Sequence, residues 1–198
     1  MNKTTKIILI VVGSLLVLCA CTTAALLGTG LWSFGKIAQF AEQNTSEDPQ
    51  EVSRIASNIA TFDVPEGFNK QYGIKIGDWS LVQYMTGNEK SIIIVTQFPA
   101  GTSINTDEMM RQIQKNSRNP GSPWYNMDTA LVEQKPITIR GQEATLSISE
   151  GTSREGASFR MANAQFQGNG AGPAMFLIAG PAEQWNDQVV EDFIASIE

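Results

Sequence analysis

The chain has no histidine in its 198 residues. That removes the commonest general base and the commonest zinc ligand. Ser-His-Asp and Cys-His catalysis are excluded outright. Cysteine is nearly as scarce. Cys19 and Cys21 are the two present, and both sit inside one apolar run. Whatever follows that run has no disulfide, no thiol nucleophile and no thiolate metal site. Positive charge is also short. Beyond Gly35 lie all 20 acidic residues but 12 of the 14 basic ones, a net charge of about −8. An acidic surface repels phosphate backbones, which excludes nucleic acid as a partner. It equally excludes a polybasic lipid-binding patch.

What is present first is a run without charge, Ile7 to Gly35, between Lys6 and Lys36. Its core, Ile7 to Trp32, extends about 37 Å as a helix, more than the ~30 Å hydrocarbon core of a bilayer. The run is far longer than the apolar part of a signal peptide. A helix satisfies its own backbone in lipid, so an uncleaved, single-pass signal anchor is expected over residues 7–32. Trp32 and Phe34 fall where an interfacial aromatic belt belongs. Lys3 and Lys6 put residues 1–6 in the cytoplasm, and the acidic remainder then lies outside it. Ala20, Ala24 and Gly28 form a stripe of small residues on which a second helix can pack closely. Two other fates compete. Leu18-Cys19-Ala20-Cys21 resembles a lipobox, which would make the chain a lipoprotein lipidated at Cys21 and would place it in a bacterial envelope. Cleavage near Ala20 to Ala25 would release a soluble domain.

Residues 33–47 read as a juxtamembrane linker and 48–198 as one extracytoplasmic domain, large enough to bury a core without staples. Asp48-Pro49-Gln50-Glu51 starts a helix to about Asn58, with Asp48 as cap and Glu51 closing a capping box. Val52, Ile55, Ala56 and Ile59 share one face. Strands are expected at Ala60–Val64, Ile74–Ile76, Trp79–Thr86, Ser91–Phe98, Ala130–Ile139, Glu143–Glu150, Phe159–Gln167 and Ala174–Ala179. Helices are expected from Asn105 to about Ser117, with Met109, Met110 and Ile113 inward, and from Glu183 to Ser196. Strands joined by short glycine-rich loops are antiparallel, because parallel neighbours need long crossovers. The fold class is therefore α+β: a transmembrane helix, then one domain with a central antiparallel sheet whose faces are covered by helices.

Phe62-Asp63-Val64-Pro65-Glu66-Gly67-Phe68 resembles the F-x-x-P-x-G-aromatic opening of the PsbP/Mog1-like group. The turn Gly141-Gln142-Glu143-Ala144 and the closing helix Phe193-Ile194-Ala195-Ser196-Ile197 are similar to its later elements. The resemblance spans about residues 59–198. It implies an α/β/α sandwich on an antiparallel sheet. Bacterial members of the group often follow an anchor segment, and many lack known activity. It supplies no catalytic residues.

Ser33-Phe34-Gly35-Lys36 fits the Ser-x-x-Lys pattern, but its partner motifs are missing and it reads as the membrane edge. Gly168-Asn169-Gly170-Ala171-Gly172 lacks a following helix start, so it reads as a hairpin turn and not a phosphate cradle. Asp107/Glu108 and Glu191/Asp192 read as helix-surface acids without a calcium loop. The loop 119–128 holds Pro120, Pro123, Trp124 and Tyr125. Stiff aromatics on such a loop serve recognition or fold onto the core, and they are the candidate binding residues for a protein partner. Carboxylate-only hydrolysis would draw on Asp63, Glu66, Asp78, Glu133, Glu143 and Glu150, among which spacing selects no pair. The expectation is a binding or assembly-support domain without enzymatic activity. No metal or cofactor is expected.

Overall fold

The computed structural model describes residues 44–104, 128–152 and 156–198. The chain divides into two compact units, and Ser46–Ser103 with Asp128–Glu198 form the one described here. No helix among the described residues is long and apolar enough to cross a membrane. The expected span 7–32, the stripe Ala20/Ala24/Gly28, Cys21, the Asn105 helix and the Trp124/Tyr125 loop all lie outside the described residues.

The elements in chain order are β1 (Thr45–Ser46), α1 (Pro49–Ile59), β2 (Lys70–Ile76), β3 (Trp79–Met85), β4 (Ile92–Gln97), β5 (Asp128–Ile139), β6 (Gln142–Thr152), β7 (Ser158–Gln167), β8 (Pro173–Pro181) and α2 (Asp187–Ala195). They make one eight-stranded sheet in the order β1-β2-β3-β4-β8-β7-β6-β5. The pairings from β2 through to β5 are antiparallel. Two meanders, β2-β3-β4 and β5-β6-β7-β8, thus meet where β4 pairs with β8. The expected α+β class and antiparallel sheet are what is found.

Alternation decides which side chains reach the core. Val82, Tyr84, Ile93, Val95, Phe176 and Ile178 form one buried face with Leu146, Ile148 and Ala162. Both α1 and α2 pack on this face, through Val52, Ile55 and Ile59 and through Val190, Phe193 and Ile194. Ile74, Leu81, Ile94, Met161, Met175 and Leu177 point the other way and are also buried.

Local differences from expectation have local causes. Asp48 caps α1 by accepting from the Gln50 amide at 2.8 Å. The capping box does not close, because Glu51 pairs with Arg54 one turn on. The Asp48 amide donates instead to Ser46 Oγ. Ala60–Val64 joins no sheet strand. Thr61 instead exchanges backbone hydrogen bonds with Glu198 at 3.1 and 2.9 Å, tying this segment to the end of the chain. The closing helix starts at Asp187, four residues later than expected. Asn186 caps it by accepting from the Gln188 amide, and Ala182–Gln184 form a separate 3-10 turn.

Tyr84 is buried under this core, and burial pushes its hydroxyl up to about 12. The folded protein therefore holds that proton more tightly than the unfolded chain does. Stability from this group is complete below about pH 10 and declines as pH rises through about 12. Denaturation series across that range are expected to show the decline, and Tyr84→Phe is expected to flatten it.

Candidate functional site

One end of the sheet gathers the end of α1, the β2–β3 turn, the end of β4, the β5–β6 turn and the β7–β8 loop. The last is Gly168–Gly172, and it is the hairpin turn read from the sequence: Gln167 pairs with Pro173 across it. Gln97, the last residue of β4, follows Ile93 and Val95 onto the helix-covered face and is 3 % exposed. A buried carboxamide requires partners. Its Nε2 donates to the carbonyls of Gly172, Pro173 and Phe98. Its Oε1 accepts from the Gly170 amide at 3.3 Å.

Asn169 completes the lattice. The last carbonyls of a helix lack partners within it. The Asn169 amide donates to Ile59 O at 2.7 Å, and Asn169 Nδ2 donates to Ser57 O at 2.9 Å. Arg140 in the β5–β6 turn donates to Asn169 Oδ1 and to Gln167 O, both at 2.9 Å. The loop is thereby fixed to three other elements before any ligand arrives.

Against this loop lies a cleft of about 400 Å³, lined by Asn58, Lys75, Asp78, Gln97, Phe98 and Gly170 among others. One cation and one anion, both exposed, belong to its lining. Asn58, Gln97 and Asn169 add carboxamides to the lining, and Ser57 and Ser80 add hydroxyls. These groups offer charge and hydrogen bonds of the kind that a small polar molecule can use.

The carboxylates named from the sequence do not converge here. Asp78 belongs to this cleft, whereas Glu150 lines another cleft of about 400 Å³ beside Thr129 and Phe159. Glu150 is 3.5 Å from the Arg160 guanidinium, which also meets Asp187 at 3.5 Å and the Trp185 ring at 5.7 Å. Asp187 in turn accepts from Trp185 Nε1 at 2.7 Å. This set fastens β7 to the start of α2. Glu133 faces Ile148 across the β5–β6 pair, on the other side of the bulge from the Ala130–Glu150 pair. Glu133 lines neither cleft. Asp63 and Glu66 share the connection between α1 and β2, Glu143 is on β6, and none of the three lines either cleft. Among the described residues no three of His, Cys, Asp or Glu come together as metal ligands.

Sequence reasoning found the glycine loop but missed Gln97 and Asn169. Gln97 is the last residue of β4 and follows Thr96, so a polar side chain there carries no local signal. No protein-family model matches the chain, and no curated protein matches it in sequence.

Proposed function

We propose that this chain is a membrane-anchored, extracytoplasmic binding domain without enzymatic activity. Its ligand is a small polar molecule seated beside Gly168–Gly172, and the Trp124/Tyr125 loop offers a second surface to a protein partner. The observation that carries the ligand seat is the rigid cleft. Gln97 and Asn169 hold its glycine wall in place, so binding costs little ordering of the protein. The anchor rests on the uncharged run 7–32, and the PsbP/Mog1-like resemblance agrees with a tethered domain of this kind.

The test is a thermal-shift screen of polar metabolites on the full chain in mild detergent. A ligand at a hundred times its Kd is expected to stabilise by about 2.7 kcal/mol. Lys75→Ala and Asp78→Ala, both at exposed positions, are expected to abolish that shift while leaving the unliganded transition nearly unmoved. Shifts that survive both substitutions place the ligand elsewhere. Mass spectrometry of the mature N-terminus tests the tether. An intact Lys3–Gly35 peptide supports the anchor, and a diacylglyceryl group on Cys21 replaces it with the lipoprotein alternative.

A further inference from the structure

Among the described residues the sheet ends at β5, whose outer flank has no partner strand there. This edge also carries the large apolar side chains that stand exposed among the described residues: Leu131 at 56 % and Val132 at 50 %. Val132 is the extra residue of a bulge, since Leu131 and Glu133 pair with the consecutive Ser149 and Ile148. An open edge presents a row of amides and carbonyls that templates another strand.

We propose that the β5 edge is a dimerisation surface for a second copy of this chain, paired antiparallel about a two-fold axis at Gln134. The choice of occupant follows from self-complementarity. About that axis Glu133 of each copy stands opposite Lys135 of the other, so symmetry makes two opposite-charge pairs. Glu133 has no ion-pair partner among the described residues, and Lys135 has Glu191 at 3.5 Å. Val132, where the bulge interrupts the ladder, falls opposite Pro136, which has no N–H to contribute. The two irregular positions of the strand thus meet each other. Val132 comes to lie beside Pro136 of the second copy and loses exposure, whereas Leu131, which pairs with Ser149, is on the face away from Ile137. Lysine, proline and bulges on an edge deter indiscriminate pairing; here the same features admit one register. The inference does not depend on the ligand reading.

The test uses the full chain in mild detergent with Cys19 and Cys21 replaced by serine. In Gln134→Cys the two thiols flank the axis with Cβ atoms about 5 Å apart, and a short bis-maleimide is expected to link most chains into dimers. In Thr138→Cys the thiols lie about 27 Å apart along the strands, and linking is expected to be at least about tenfold slower. Glu133→Lys sets like charges opposite each other at both symmetric positions and is expected to weaken the dimer about tenfold. Adding Lys135→Glu is expected to restore it, since the exposed Lys135–Glu191 pair contributes little. Light scattering that gives a one-chain mass throughout overturns the proposal. So does equal linking of the two cysteine variants, failure of the double reversal to restore the dimer, or an unrelated extended peptide found bound along β5.

Discussion

Phe193→Ala is expected to lower the folding free energy by about 3–5 kcal/mol, the range for deleting a fully buried aromatic ring. Phe193 is 1 % exposed and lies in the core where α2 meets the sheet. Its ring meets two others edge to face, Phe176 and Phe62, each with centroids 5.5 Å away. Phe176 belongs to the central strand β8 and is itself fully buried. Phe62 belongs to the segment that exchanges backbone hydrogen bonds with Glu198. One side chain therefore joins the sheet centre, the closing helix and the chain after α1. Truncation removes the transfer free energy of the ring, leaves a cavity, and ends two ring contacts worth about 0.5–1.5 kcal/mol each beyond area. Phe193→Leu keeps most of the volume and is expected to cost less than half as much. Urea denaturation of the three proteins measures the order. Equal stabilities would show that α2 is not held to the sheet through this ring.

The strands of this domain were legible because their signals are local. Alternation in Trp79–Met85, the β-branched run in β4, and the glycines between Ala130 and Ala179 each mark an element without reference to distant residues. Where expectation departed from structure, a distant or competing partner decided. Ala60–Val64 has strand composition, but its hydrogen-bond partner is the final residue of the chain. Glu51 sits at capping-box spacing, yet Arg54 offers its carboxylate two closer donors. The pairing of α1 and α2 on one face follows from the sheet order, which no short window contains. The candidate site shows the same division. Its glycine loop was visible as punctuation. Its clamp was not, because Gln97 reaches Gly172 across 75 positions of sequence, and a single buried amide has no spacing to betray it.

That loop also sets up the second large effect. Gly172→Ala is expected to destabilise by about 3 kcal/mol or more, near the upper end for overpacking. A Cβ at Gly172 would overlap the carbonyl oxygens of Phe98 and Pro99 and lie 2.6 Å from the Pro99 carbonyl carbon. All of these are backbone atoms, so no side chain can swing aside to make room. The chain after β4 would have to retreat, and the Phe98 amide donates there to Pro173 O at 2.9 Å. Gln97 would lose its geometry with Gly172 in the same movement. Gly141→Ala separates this close approach from the ordinary cost of a left-handed backbone. Gly141 has φ +73°, but a Cβ there meets nothing within 4 Å. Its substitution is expected to cost about 1–2 kcal/mol, the penalty of the left-handed conformation alone. If both substitutions cost the same, the contact with Phe98 and Pro99 is not what demands glycine at position 172. If Gly172→Ala costs more and also abolishes binding in the cleft, the wall that fixes the fold at this end is the wall that shapes the ligand seat.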